Sequence, residues 1–155
     1  MSGRIDVHAH SMLRNYADFL RASALGSTVR IPHWSPDMAL AMMDRHGIAA
    51  AVTSLSVPGT NLGDAAKARS VSRACNEEAA EMGARHRRLG AFATLPLPDI
   101  DLACAEAIHA LDVLKLDGIG LLTGYDGKYL GDACYDPLMQ VLNERGASVH
   151  IPPAV

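Results

Sequence analysis

Apolar and polar positions along this chain switch between a strand period and a helix period. Arg4 to Val7 is a short β-type run that ends in polar His8-Ala9-His10. Ile48 to Leu55 is nearly continuous in apolar residues, the pattern of a parallel strand buried on both faces. Leu89 to Leu95, Gly118 to Leu122 and Ala147 to Ile151 give three more strand candidates. Helical segments fall between them. One is expected around Asn15 to Ala24, followed by a loop through Gly26 to Trp34. The next is sharply punctuated. Ser35 suits the N-cap, Pro36 the first helical position, and Asp37 the positive end of the dipole. Met38, Leu40, Ala41, Met42 and Met43 supply its apolar face, and Gly47 falls where a left-handed residue ends a helix. Further helices are expected over Asp64 to about Arg85, from a cap at Asp99 or Asp101 to about Leu114, and over Asp136 to Arg145.

Regular alternation of strand and helix argues an α/β fold with a parallel sheet, each helix being long enough for a right-handed crossover. No internal repeat, low-complexity tract or linker divides the chain, so residues 1–155 read as one domain. A count of five strands at most suits an open, doubly wound sheet. A closed TIM barrel needs eight strands and usually about 250 residues. Alternation alone therefore favours the open sheet.

The chain has 155 residues, 49% hydrophobic and 20% charged, with a formal charge of −3. That balance argues against nucleic acid or an anionic membrane as partner, since both attract a basic surface. Cys75, Cys104 and Cys134 are odd in number and form no CxxC pair, which points away from disulfide frameworks and zinc knots and towards a reducing compartment. No apolar run reaches signal-peptide or membrane-helix length, and a cytoplasmic location is expected. Gly118-Ile119-Gly120 lacks the third glycine of a dinucleotide fingerprint. The basic run Arg85 to Arg88 complements a helix C-terminus.

The chemistry concentrates in Asp6-Val7-His8-Ala9-His10. Residues two apart on a strand point to the same side, so His8 and His10 converge where the strand ends and can clasp one divalent ion. The bland alternative is two satisfied surface histidines near a terminus. Asp6 shares their parity deeper in the strand, as an outer-sphere partner or simply a capped polar residue. Arg30 could hold a carboxylate in bidentate fashion or could be a solvated loop arginine. Trp34 could contact a ligand or pack the entry to the helix. Thr123 and Tyr125 follow the fourth strand, on the face where barrel sites form. His33, His46, His86 and His109 read as surface or cap residues.

These motifs, taken together, resemble the amidohydrolase-related family of aminocarboxymuconate semialdehyde, γ-resorcylate and 6-methylsalicylate decarboxylases. The matching segments run collinearly through nearly all of the chain. They are Ile5 to His10, Trp34-Ser35-Pro36, Met43 to Ile48, Ser54 to Gly59, Asn76-Glu77, Leu95 to Asp99, and Leu116 to Thr123 with Tyr129 to Asp132. The stretch from Leu114 to Asp132 most resembles the 6-methylsalicylate branch.

The resemblance implies a distorted (β/α)8 TIM barrel about twice this length, of which this chain is the N-terminal part with about five strands. Residues 11–34 are then an insertion between the first strand and the first barrel helix. It implies one divalent metal ion, expected to be Zn2+, held by His8 and His10, with Arg30, Trp34 and Thr123 as substrate contacts. Relatives carry a further ligand in a His-Pro step at the end of the fifth strand. Here Pro152-Pro153 stands at that place, and His150 lies two residues earlier on the same parity, either a displaced ligand or an incidental histidine. The catalytic proton donor is expected in the C-terminal half that this chain lacks. Lys115 precedes the fourth strand, and no lysine ends it, which favours a mononuclear site. The expected function is non-oxidative decarboxylation of a small aromatic acid, with this chain alone inactive and a homo-oligomer open. The alternatives are a metal-dependent hydrolase of the same superfamily, or an inactive half-barrel or oligomerising scaffold.

Overall fold

The computed structural model describes residues 3–28 and 30–152. Strand β1 (Arg4–His10) leads into α1 (Arg14–Ala22), a 3-10 turn (Ala24–Ser27), α2 (Pro36–His46) and β2 (Ile48–Ser54). Then come α3 (Ala65–Arg85), β3 (Leu89–Ala93), α4 (Ile100–Ile108) and β4 (Gly118–Gly120). A hairpin of β5 (Gly124–Tyr125) and β6 (Lys128–Tyr129), helix α5 (Asp136–Glu144) and strand β7 (Val149–His150) complete the order.

The helix signals act as the sequence predicts. Ser35 Oγ accepts from the Met38 N–H, Pro36 opens α2, and Gly47 closes it at φ 64°. Asp64 caps α3. Asp99, rather than Asp101, caps α4 by accepting from the Leu102 N–H at 3.0 Å, and a π-helical stretch carries the helix on through His109–Val113. The hairpin was not expected: residues 123–133 read as loop. Its two-residue turn is Asp126-Gly127, with φ of 49° and 77°, the mirror-image turn that Asp-Gly favours between paired strands.

Five strands pair in parallel in the order β1-β2-β3-β4-β7. Strand order follows chain order without reversal, which removes the doubly wound arrangement that strand counting favoured. The sheet is curled into half a barrel. In a flat sheet the first and fifth strands would stand about 19 Å apart at ~4.8 Å per strand, yet the imidazole centroids of His8 on β1 and His150 on β7 are 5.1 Å apart.

Register sorts the side chains between the two faces of this arc. Ala51 pairs with Leu89 and Thr53 with Ala91, and all four are buried. They meet the face of α3 that buries Ala68, Val71, Cys75, Ala79 and Met82. The concave face carries His10 opposite Ser54, Val52 opposite Gly90, Phe92 opposite Gly118 and Gly120 opposite His150. The edges of the arc pair on one side only among the described residues: β1 with β2, and β7 with β4. Ile5 and Val7 are 64% and 52% exposed there, and Ile151 is 48% exposed.

A buried polar node fastens α3 and α4 to the end of β3. The Asn76 amide donates to Thr94 O at 2.9 Å and Glu106 Oε1 at 2.8 Å, and its Oδ1 accepts from the Thr94 N–H at 2.9 Å. Arg73 Nε donates to Glu106 Oε2 at 2.9 Å, and Glu106 is only 2% exposed. Each buried group left unpaired costs ~1–3 kcal/mol. Asn76→Ala is therefore expected to destabilise the fold by about 3 kcal/mol in denaturant titration. Arg21→Ala breaks an ion pair with 60% and 62% of its side chains exposed and should cost under about 1 kcal/mol.

The core also sets an alkaline limit. Burial pushes the Cys75 thiol from 9.0 up to about 12, so the unfolded chain loses that proton first. The stabilisation is whole below pH 9 and falls as pH rises towards 12, by up to about 1.4 kcal/mol per pH unit. Unfolding midpoints measured from pH 8 to 11.5 should decline, and Cys75→Ala should flatten part of the decline.

Candidate metal centre

Three histidines gather on the concave face. The ring centroids of His8 and His10 are 5.3 Å apart and nearly perpendicular at 87°. His150 stands 5.1 Å from His8 at 66°. The i, i+2 spacing on β1 sets the first pair on one side of the strand, and the curl of the sheet brings the third. The register slips between Asp6 and Ala9, where three residues on β1 span two on β2. Asp6 Oδ1 accepts from the His8 N–H at 3.0 Å within that irregular stretch, so the carboxylate braces the strand that carries both histidines.

His150 reaches its place because β4 presents no side chain on the concave face. Phe92 on β3 stacks on His150 on β7 across the intervening strand, with centroids 5.2 Å apart and planes at 14°. A Cβ on Gly118 would meet Phe92 Cδ1 at 3.1 Å and Ser148 O at 2.3 Å. Glycine at 118 is what lets β4 lie against β7 and lets the phenyl ring cross above it.

The donors suit a divalent cation. Two imidazoles bound to one ion at ~2.0–2.1 Å hold their centroids about 5 Å apart, the separation seen here. His150 Nε2 is shielded from solvent and has no hydrogen-bond partner. Burial, followed by the charges of neighbouring His8 and His10, holds this imidazole below its ordinary value, which keeps its lone pair free. Among the described residues no three His, Cys, Asp or Glu side chains are set to hold an ion. The backbone gathers the rings, and rotation about the side-chain bonds would have to close the set.

Beside the histidines, the loops after β2, β3 and β4 enclose a cleft of about 470 Å³. Its polar wall includes Ser54, Thr60, Asn61 and Thr94, and Leu55, Leu97, Leu121 and Tyr125 supply apolar surface. Pro152 closes one side. The Tyr125 hydroxyl accepts from the Leu122 N–H at 2.8 Å, and burial raises this phenol to about 12, so it remains a proton-bearing donor.

The other sequence candidates lie elsewhere. Thr123 borders the hairpin, where its carbonyl accepts from the Leu130 N–H, and is not among the cleft-lining residues. Trp34 lines a separate groove of about 550 Å³ with His33, Arg14, Glu78 and Arg85, against α1 and α3 rather than the strand ends. Arg30 is exposed. His46 and His86 fall at helix ends, as expected, and His109 begins the π-helical stretch with a buried, unpartnered Nε2. Phe92 and Ser54 were missed. Strand parity could have found both, since each shares the concave face with a histidine.

The curled arc of alternating parallel strands and helices, with a histidine cluster and cleft at its strand ends, is the layout of half a (β/α) barrel. Residues 5–154 match the family described as Amidohydrolase, and the chain belongs to that family. It is 39% identical over 97% of its length to decarboxylase yanB of Aspergillus niger, covering 43% of that protein. With 6-methylsalicylic acid decarboxylase of Penicillium expansum it shares 33% identity over 97% of this chain and 48% of the relative. The chain thus spans about half the length of the curated relatives it matches. Among solved structures it resembles 5-carboxyvanillate decarboxylase of Novosphingobium aromaticivorans, complexed with manganese and 4-hydroxy-3-methoxy-5-nitrobenzoic acid. The TM-score is 0.81 at 22% identity, over 98% of this chain and 50% of that one, a likeness of fold. Among the described residues no helix is long and apolar enough to cross a membrane.

Proposed function

We propose that this chain is the metal-binding half of a non-oxidative decarboxylase acting on a small aromatic acid of the 6-methylsalicylate kind. The observation that carries this reading is the gathering of His8, His10 and His150 beside a cleft with one polar wall and several apolar residues. The two decarboxylase relatives, each aligned over 97% of the chain, support it.

His8, His10 and His150 would hold one divalent ion through neutral imidazoles. The structural neighbour is complexed with manganese, and a set of imidazole nitrogens also suits zinc. When bound, the ion supplies Lewis acidity towards substrate oxygens. Leu55, Leu121 and Tyr125 of the cleft lining would flank an aromatic ring, and Ser54 and Thr94 would meet its polar substituents. In the reaction the bond from ring carbon to carboxylate breaks, its electron pair passes to the ring, a proton replaces it, and carbon dioxide leaves. The proton donor is assigned to the part of the barrel outside this chain. The chain's cysteines do not suit nucleophilic catalysis, since desolvation raises all three thiols.

The test uses the polypeptide that carries this chain together with the rest of the barrel. Chelation should abolish carbon dioxide release from 6-methylsalicylate, and Mn2+ or Zn2+ should restore it. Ester or lactone hydrolysis without carbon dioxide release would favour a hydrolase instead. His8→Ala and His10→Ala should each weaken Mn2+ binding at least about tenfold in equilibrium dialysis, as loss of a direct ligand must exceed loss of an outer-sphere partner. The same loss in His150→Ala would establish His150 as a ligand, and unchanged binding would make it incidental.

A further inference from the structure

The geometry points to Ser54 as the positioning residue for His10, fixing which imidazole nitrogen is offered to a cation. This rests on the metal-site reading above.

Ser54 and His10 are register partners across β2 and β1, so the sheet itself sets them side by side on the concave face. The ladder is locked just beyond them, where the Ser11 N–H donates to Ser54 O at 3.1 Å. Ser54 is 5% exposed, and its Oγ lies 3.3 Å from His10 Nδ1. Neither His8 nor His150 has a hydrogen bond of this kind among the described residues. Among the described residues His10 is therefore the one imidazole of the three whose ring is hydrogen-bonded to a side chain.

A neutral imidazole has one N–H and one lone pair. A cation takes the lone pair, so the other nitrogen must carry the proton and needs an acceptor. Ser54 Oγ supplies that acceptor at Nδ1, which leaves the Nε2 lone pair for the ion. Because the serine oxygen is then occupied as an acceptor, its own O–H is free to donate. Ser54 also lines the cleft, so the same hydroxyl that sets the His10 tautomer can give its proton to an acceptor on a bound ligand. One small side chain thereby links the histidine cluster to the substrate space.

Free Mn2+ measured by electron paramagnetic resonance, on the full protein containing this chain, tests the assignment. Ser54→Ala should weaken Mn2+ binding about tenfold, the lower end of the range for outer-sphere partners, and Ser54→Thr, which keeps the hydroxyl, should restore it. Unchanged affinity in Ser54→Ala, or an equal loss in Ser54→Thr, overturns the role of Ser54 while leaving the metal site standing. Failure of the unaltered protein to bind Mn2+ overturns both. A second measurement needs no variant. In the Zn2+-loaded protein labelled with 15N-histidine, His10 should show a protonated Nδ1 and a metal-shifted Nε2, and coordination through Nδ1 would refute the assignment.

Discussion

Everything at the candidate site depends on how sharply the sheet bends. A metal ligand set cannot be drawn from the first and fifth strands of a flat sheet, because imidazoles are far too short to cross four strand spacings. Bending needs little bulk on the inside of the arc and good packing on the outside. The chain meets both demands by parity. Leucine, alanine and isoleucine fill the outer positions of β3 and β4 against the helices, whereas glycine occupies three inner positions, Gly90, Gly118 and Gly120. At Gly90 the close neighbour is the Asp117 carboxylate, which accepts from the adjacent Ala91 N–H at 2.9 Å and would collide with a Cβ. Asp117 thus ties the start of β4 to β3 at a point where only glycine fits.

The helices hold that curvature from outside. α3 is the longest element and lies against β3 with its small apolar stripe. The Asn76–Glu106–Arg73 node adds direction to that packing, because both backbone groups of Thr94 are claimed by one amide. Thr94 is the first residue after β3 and part of the cleft wall. The polar cost of burying a carboxylate is thus offset at the place where a strand end must be held still for chemistry. At the edges of the arc the balance is different. Ile5, Val7 and Ile151 stand largely in solvent, beside backbone groups that pair on one side only, and such edges invite another strand.

Much of this is legible in the sequence. The α2 caps at Ser35 and Gly47 acted as their chemistry requires, since caps are local and little in the tertiary structure competes with them. The strand-helix alternation was read correctly for the same reason, and the i, i+2 spacing of His8 and His10 does bring their rings 5.3 Å apart. Closure was not local. Counting strands favoured an open sheet, and only the resemblance carried in the motifs pointed to a barrel. The neighbourhood of His150 was the least legible feature, because it depends on a phenyl ring reaching over a glycine from two strands away. The β5–β6 hairpin was legible in principle from Asp126-Gly127, but its flanks are too short to read as strands. Arg30 and Trp34 were chosen from resemblance, and Thr123 and Tyr125 from their place after the fourth strand; of these four, Tyr125 lines the cleft.

The glycines of β4 also bear on how such a chain can diversify. A strand without inner side chains has nothing to exchange there: it can neither add a contact to a new ligand nor remove one. Variation in ligand preference contributed by this part of the arc is displaced onto the segment that follows, from Leu122 through the hairpin to Tyr129. Gly127 reaches nothing with a built Cβ, and Tyr129 is 78% exposed, so the tip can drift while Tyr125 stays anchored by Leu122 and Tyr135. The architecture separates a silent strand that preserves curvature from a permissive hairpin on which selection can act.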